Sequence, residues 1–470
     1  MHKASELISF WAHLKPTEIA FADESHEVNF RQLDMYTRKI GFLLTETGIK
    51  RGEVVGLILP GYLGWLFSLS LFRLGVTTMM KNNLSDFSPE LIPDWVISLE
   101  QHPGKDSQHT IIVNEDYLVK VNASRELDEF DGFVGPDDIA TFYSTSGTNG
   151  ETKYQSVGAE YIWSDALRLH SSNGFGEDEV FILLPFGAAW TNLHAAMCLI
   201  LGKTYYNCLF TDFRLPKFVS KYPIRTIIGS PAQISAFLDI QQQTGTKLPL
   251  VKTIIMGGSP PSEQLVTRIK SQIDCNIFNA YGSTEAGLIA MSRLGNEEAE
   301  GAWITPQMDL QIVDDNNNQL PAMSVGHIRY RRKDMITSYY KNPLATAQFF
   351  KDGYFYPGDL GFIDHAGRLL LEGRSTDVIN LGGVKISPER IESIALAQEG
   401  VRDCAVFTSL SNSGVEELCI ALVVDSDFNR EIFEKSMAAK SPHAISWAQI
   451  ATAIPRNETG KIQRNLLTRD

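Results

Sequence analysis

Residues 139–153, Ile139-Ala140-Thr141-Phe142-Tyr143-Ser144-Thr145-Ser146-Gly147-Thr148-Asn149-Gly150-Glu151-Thr152-Lys153, organise the reading of this chain. The first five form a short apolar run of the kind a buried strand needs. From Thr145 onward, small hydroxyl side chains alternate with Gly147 and Gly150 and the stretch ends in a lysine. Such a stretch can fold backbone N–H groups, hydroxyls and one cation around phosphate oxygens. It departs from the Walker pattern, because Lys153 is preceded by Thr152 and not by glycine. The same composition suits an ordinary surface turn, so the rest of the chain must decide.

A length of 470 residues exceeds one ordinary core, and two or three domains are expected. Hydrophobic content of 43% with 21% charged residues fits a soluble globular protein. A formal net charge of −14 speaks against non-specific binding to nucleic acid or to anionic membranes, so an anionic ligand would need a locally positive pocket. The cysteines, Cys198, Cys208, Cys275, Cys404 and Cys419, are scattered without C-x-x-C spacing. They read as buried thiols of a reducing compartment, not as a metal cluster. No H-E-x-x-H spacing occurs among the histidines. An amphipathic first helix is marked by Leu7, Ile8, Trp11 and Leu14, and Glu6 argues against a signal peptide. The apolar stretch from Leu59 to Met80 is broken by Arg73 and by glycines, so it reads as a strand end and a core helix and no membrane span is expected. The expected location is cytoplasmic.

The periodicity alternates between strand and helix. Asn29 caps a predicted helix with apolar positions Leu33, Tyr36, Ile40 and Leu43. Val54–Leu59 is a predicted strand that Pro60 ends, and a helix then runs toward Gly75. A second unit repeats the form. Strands, each ending at a turn, are predicted at Val180–Pro185, Thr226–Pro231, Thr253–Pro260 and Asn276–Gly282, with helices at Trp190–Leu201, from Ala232 and from Ser262. This is an α/β fold with a largely parallel sheet, whose strand ends open into small-residue turns where ligands bind. These turns and the Thr145–Lys153 loop are expected to converge on one crevice. From about Ala302 shorter strands take over, with a hairpin turn at Asp314–Asn318. A compact α+β terminal unit follows, with a helix at Pro388–Gln398 and strands at Ala405–Phe407 and Cys419–Val424.

Six stretches stand in order. They are Tyr143–Lys153; Gly257-Gly258-Ser259-Pro260; Asn279-Ala280-Tyr281-Gly282-Ser283-Thr284-Glu285; Tyr356-Pro357-Gly358-Asp359; Gly373-Arg374-Ser375-Thr376-Asp377; and Pro455–Arg464 around Lys461. Taken singly, Asp359 is a turn residue, Glu285 a helix-end charge, Tyr281 core, Arg374 a surface ion pair and Lys461 a solvated cation. Taken as an ordered set they resemble the adenylate-forming superfamily of acyl-CoA synthetases, peptide-synthetase adenylation domains and luciferases, over about Ile19 to Leu467. The resemblance implies a large N-terminal domain (residues 1–375) of α/β and β-rich subdomains and a small mobile α+β C-terminal domain (residues 376–470). It implies attack by a carboxylate on the α-phosphorus of ATP, release of pyrophosphate, and transfer of the acyl group to a thiol. Thr145, Ser146, Gly147, Thr148, Asn149, Gly150 and Lys153 would then cradle the β- and γ-phosphates. Tyr281 would lie against adenine, with Gly258, Ser259 and Pro260 shaping the base pocket beside Asn279, Ala280, Gly282 and Ser283. Thr284 would reach the α-phosphate, Glu285 would hold Mg²⁺, Asp359 and Arg374 would take the ribose, and Lys461 would reach the α-phosphorus.

Some positions depart from that pattern. Pro357 stands where threonine is usual and Thr376 occupies the hinge. After Pro185 the run is Phe186-Gly187-Ala188-Ala189-Trp190, without the histidine of many acyl-CoA synthetases. Gly187 replaces the aspartate of amino-acid-activating relatives. An aryl or other carboxylic acid without an α-amino group is therefore the expected substrate. Gly187, Ala188, Trp190, Met256 and Ala280 are candidate pocket walls; Trp190, Met256 and Ala280 read equally well as core. Coenzyme A is the first expected acceptor. A carrier-protein phosphopantetheine, which requires a protein partner, is the second, and a non-thiol acceptor the third.

Overall fold

The computed structural model describes residues 6–81, 87, 90–100, 109–135, 138–146, 152–172, 179–184, 186–208, 214–295, 301–375, 379–381, 384–386, 388–410, 416–441, 443–456 and 462–468. Helix α1 (Leu7–Leu14), the hairpin β1 (Ile19–Ala22) and β2 (Glu27–Asn29), and helix α2 (Phe30–Thr47) come first. Asn29 starts α2 with a capping box: its Oδ1 accepts from the Gln32 amide at 2.9 Å, and Gln32 Oε1 accepts from the Asn29 amide at 3.0 Å.

Next in the chain are β3 (Val54–Ile58), α3 (Gly61–Leu74), β4 (Thr77–Met80), β5 (Trp95–Ser98), β6 (His109–Ile112), α4 (Glu115–Ala123), β7 (Ile139–Ser146) and β8 (Thr152–Gly158). The strands form a six-stranded sheet in the order β6-β5-β3-β4-β7-β8. All its pairs are parallel except β7–β8. The Thr145–Lys153 stretch is thus the tip of a β-hairpin, with Thr145 opposite Lys153 and Ser146 opposite Thr152. Gly147, Thr148, Asn149, Gly150 and Glu151 lie outside the described residues.

The second sheet is built from a longer run of elements: α5 (Ala159–Ser172), β9 (Glu179–Ile182), α6 (Ala189–Leu201), β10 (Tyr205–Asn207), α7 (Leu215–Lys221), β11 (Ile224–Gly229), α8 (Pro231–Thr244), β12 (Thr253–Gly257), α9 (Glu263–Gln272), β13 (Asn276–Ser283) and β14 (Gly287–Leu294). Strands β1, β10, β9, β11, β12 and β13 pair in parallel in that order. The chain goes on through β15 (Ala302–Ile304), β16 (Asp309–Val313), β17 (Gly326–Arg331), α10 (Pro343–Phe349), β18 (Phe350–Lys351), β19 (Tyr354–Phe355), β20 (Asp359–Ile363) and β21 (Arg368–Arg374). From β13 the sheet continues antiparallel in the order β13-β14-β15-β21-β20-β17-β19-β18, with β16 paired to β17 beside this path. The α/β units expected of the large domain are thus two sheets, the second running on into the β-rich part, and the motif-bearing turns are divided between them. The strand expected at Val180–Pro185 ends at Ile182, and Pro185 lies outside the described residues. Asp314–Asn318 is a tight turn in which Asp314 Oδ1 accepts from the Asn316 and Asn318 amides. An antiparallel bridge between Val313 and Gln319 closes this turn, and β17 then returns along β16 with Val313 opposite His327.

Two apolar cores sandwich the second sheet. Strand alternation sends Ile255 and Ala280 into one and Ile254, Met256 and Ile277 into the other. The tail comprises β22 (Ile379–Leu381), β23 (Val384–Ile386), α11 (Pro388–Leu396), β24 (Val401–Leu410), β25 (Glu416–Val424), α12 (Arg430–Lys440) and β26 (Trp447–Ile450). It has its own core around Ile391, Val406, Ile420 and Phe433. No described helix is long and apolar enough to cross a membrane, and all five cysteines are free thiols.

Candidate active site

The ends of β7–β8, β13–β14 and β20–β21 are drawn together by aromatic side chains. The β7–β8 hairpin docks on residues 339–340: the Tyr340 amide donates to the Tyr154 carbonyl at 2.7 Å, and the Tyr340 and Phe142 rings meet edge-on at 4.8 Å. This places Lys153 Nζ 3.5 Å from the centre of the Phe349 ring and 5.3 Å from that of Tyr339, a cation–π arrangement. The Tyr339 hydroxyl donates to Glu285 Oε1 at 2.7 Å. Burial, and then the Glu285 charge, push the Tyr339 phenol above its ordinary range, so it stays a donor.

Glu285 sits in the three-residue turn Thr284-Glu285-Ala286 that joins β13 to β14, with Ser283 opposite Gly287. Gly287 has φ +69°, the left-handed residue that such hairpin loops call for. Ser283 Oγ closes the turn by accepting from the Ala286 amide at 3.2 Å, and Tyr330 donates to the same oxygen at 3.0 Å. Glu285 is buried.

On the same strand Tyr281 donates to Asp359 Oδ2 at 2.5 Å. Burial, followed by the charge of Asp359, holds the Tyr281 phenol well above its ordinary range. Asp359 opens β20 directly opposite Arg374 of β21, and Arg374 Nε lies 3.1 Å from Asp359 Oδ1. Gly358, with φ +83°, makes the bend that delivers Asp359.

The neighbouring residue Ala280 faces the other way, opposite Gly257 of β12. A Cβ built on Gly257 would lie 2.6 Å from Trp190 Cζ3 and 3.3 Å from the Ala280 carbonyl. Trp190, at the start of α6, thus covers the ends of β12 and β13 on that face. Gly187 has φ +112° and backs onto Met80, where a Cβ would stand 3.2 Å from the Met80 Cβ. An aspartate at this position would be strained. Gly258, Ser259 and Pro260 are exposed just past β12, with open space around Gly258.

The structure therefore brings Thr145, Lys153, Ser283, Thr284, Glu285, Tyr281, Gly282, Asp359 and Arg374 to one end of the two sheets, with Gly187, Ala188, Trp190 and Ala280 beside them. Met256 does not join them. It is wholly buried in the opposite core, because its register partner Asn279 and not Ala280 shares its side of the sheet. Pro185, Thr376 and Lys461 lie outside the described residues. Tyr339, Tyr330 and Phe349 are additions that the sequence reading lacked. Their one local signal is a tyrosine pair, Tyr339-Tyr340, just before the Asn342-Pro343 helix start.

The profile described as "AMP-binding enzyme" matches residues 9–340. The chain belongs to this family. Among its relatives in the curated set is the mitochondrial acyl-coenzyme A synthetase ACSM4 of Rattus norvegicus, 26% identical, with 97% of this chain and 85% of the relative covered. The 2-succinylbenzoate–CoA ligase of Listeria innocua is also 26% identical, with 97% of each chain covered. Of solved structures, the anthranilate CoA ligase AuaEII in complex with anthranoyl-AMP superposes with a TM-score of 0.85 at 19% identity, covering 99% of this chain and 96% of that one. The fold of the AMP-binding family thus extends over the tail as well.

Proposed function

We propose that this enzyme is an acid:thiol ligase. It activates a carboxylic acid with ATP to an acyl-adenylate and passes the acyl group to coenzyme A. The observation that carries this reading is the line of contacts from Lys153 through Tyr339 to Glu285, continued along β13 to Tyr281, Asp359 and Arg374. It sets a cation, a carboxylate suited to a metal and a carboxylate suited to a diol along one edge. Phosphates, metal and ribose of one nucleotide need that sequence of groups.

In the first step a carboxylate oxygen of the acid bonds to the α-phosphorus and the bond to the bridging oxygen breaks, releasing pyrophosphate. Lys153, with the hydroxyl of Thr145 opposite it, faces the departing phosphates. Thr284 holds an α-phosphate oxygen. Asp359 accepts from the ribose hydroxyls while Arg374 fixes its orientation. In the second step the thiolate sulfur bonds to the acyl carbon and AMP leaves. Lys461 supplies the cation that meets charge developing on the α-phosphate, an interaction of a kind worth about 3–4 kcal/mol, or roughly 10²–10³ in rate.

The fit of Mg²⁺ rests on Glu285. Tyr339 occupies Oε1 only, and the described residues contain no cluster of three or more metal-binding side chains. A cation there would be held by this one carboxylate together with phosphate oxygens, which is how Mg²⁺ commonly binds. When bound it offsets phosphate charge.

On the acid side, Trp190, Ala280 and Gly257 offer an apolar wall, and Gly187 offers no carboxylate for an α-ammonium group. This favours an aryl or other acid without an α-amino group. The boundary between domains 1–375 and 376–470 falls at the hinge position Thr376. Exchange of labelled pyrophosphate into ATP across a panel of aryl, alkyl and α-amino acids tests the reading. Exchange with aryl or alkyl acids supports it, and exchange confined to α-amino acids overturns the acid class. Mass spectrometry of the product with coenzyme A or with a phosphopantetheine-bearing carrier then fixes the acceptor.

A further inference from the structure

Beneath the turn that carries Glu285 lies a buried assembly of two arginines and one aspartate, drawn from helix α5 and from the residue that follows β17. Arg168 of α5 reaches Asp165 Oδ1 through Nε at 2.8 Å, and Arg332, just past β17, reaches the same oxygen through Nη2 at 2.5 Å. The three side chains are 5%, 4% and 1% exposed for Arg168, Arg332 and Asp165. Two guanidinium groups against one carboxylate leave one positive charge without a buried counter-charge inside the assembly. Such an arrangement is costly unless its donors are used elsewhere.

They are used on the main chain of the turn. The Ala286 carbonyl accepts from Arg168 Nη2 at 3.3 Å and from Arg332 Nε at 3.1 Å, and the Leu288 carbonyl accepts from Arg168 Nη1 at 3.2 Å. Arg332 Nη2 also donates to the Tyr161 hydroxyl at 3.0 Å. Gly287 lies between the two carbonyls. A Cβ there would stand 2.5 Å from Arg168 Nη2 and 3.0 Å from Asp165 Oδ2. A three-residue hairpin turn already closed by Ser283 Oγ does not need this much hardware to form. The excess goes to fixing the direction of the residue before Ala286, which is Glu285.

Arg332 acts on Glu285 from a second side. It begins the segment that ends in Tyr339, the donor to Glu285 Oε1. One arginine therefore ties down both the backbone that bears the carboxylate and the strand exit that supplies its hydrogen-bond donor.

We propose that Arg168 and Arg332, bridged by Asp165, are positioning residues that aim Thr284 and Glu285 at the phosphates and their metal. The inference rests on the adenylating reading above. A displacement of about 1 Å at such a site can cost on the order of 10²-fold in rate.

The test uses the full chain with Arg332→Gln, Arg332→Lys and, as a control at the exposed ion pair with Asp309, Arg331→Gln. Pyrophosphate exchange is measured against ATP and against Mg²⁺, alongside thermal melting and backbone amide exchange. Arg332→Gln is expected to lower kcat roughly 30-fold with KM for ATP within about twofold, and to raise the Mg²⁺ needed for half-maximal rate. Arg332→Lys is expected to recover part of kcat, and Arg331→Gln to match the parent enzyme. Amide exchange should quicken in residues 283–290 and not across β3–β5. A folded Arg332→Gln enzyme with unchanged kcat and Mg²⁺ dependence overturns the proposal. So does a rise in KM for ATP that accounts for the whole loss. If the parent enzyme exchanges with no acid, the adenylating reading fails by itself, and amide exchange alone then decides whether the arginines hold the turn.

Discussion

Tyr339 carries its phenol between Lys153 and Glu285, and its pKa is driven up by burial and by the neighbouring carboxylate. It can therefore be replaced by phenylalanine with one clear loss, the donor to Glu285 Oε1. Leaving a buried acceptor without its partner costs about 1–3 kcal/mol. Tyr339→Phe is expected to lower the melting temperature and to slow pyrophosphate exchange, with the larger effect at low Mg²⁺. Equal slowing at all Mg²⁺ concentrations would show that the hydroxyl does not serve the metal side. Asp359→Asn keeps shape and retains an acceptor for Tyr281, but removes the charge that faces Arg374. A rise in KM for ATP of roughly tenfold with a smaller change in kcat is expected, read from initial rates. Both residues illustrate what a linear sequence displays at this scale. Asp359, Tyr281 and Arg374 stand in recognisable stretches. Their mutual hydrogen bonds arise because β13, β20 and β21 end at the same place, and only pairing across the sheet decides that. Tyr339 carries no motif; its role exists only through the approach of two sheets.

Local chemistry announced several elements faithfully. The Asn29 capping box starts α2 where expected, and Gly75 in the left-handed region ends α3. Strand bounds were less legible. Strand β7 runs on to Ser146 because β8 returns antiparallel to it, and β9 stops at Ile182. A strand is as long as its neighbours allow, and those neighbours lie far away in the chain. Helix α6 shows the same limit. Its periodicity was readable, but not that His194 would be wholly buried against Cys198 and Tyr205. Burial, with a smaller contribution from Lys203, pushes that imidazole down from 6.5 to about 4. Between those values the unfolded chain takes up a proton that the folded chain refuses, so stability is complete above pH 6.5 and is lost as pH falls toward 4, by roughly 3 kcal/mol in all. His194→Gln should flatten this part of a urea-denaturation series taken from pH 7 to pH 4. An unchanged slope would assign the acid sensitivity to other groups.

For the whole molecule, the formal charge of −14 makes the few cations at the site matter more than they would on a basic protein. Lys461→Ala is expected to slow pyrophosphate exchange by about 10²–10³ while leaving ATP affinity nearly intact, as equilibrium dialysis would show. Equal losses in rate and affinity would mean that this lysine binds nucleotide instead of stabilising charge during the reaction. The tail touches the rest of the described chain through an ion pair between Arg390 and Glu372 and through Gln264, whose amide donates to the Gln398 carbonyl. How the tail meets the rest of the chain is written in surface contacts that no periodicity encodes.

Ser375 is the last described residue before the chain crosses to the tail, and it is fastened twice to Gly358: its amide donates to the Gly358 carbonyl at 2.7 Å and its hydroxyl to the same oxygen at 2.8 Å. Gly358 in turn precedes Asp359. Any swivelling of the tail must therefore begin beyond Ser375, from an anchorage shared with the Asp359 carboxylate proposed to hold the ribose. A sugar gripped there would stiffen the mooring from which the tail turns, so the empty and nucleotide-loaded enzymes should differ in how readily a protease cuts between residues 375 and 379.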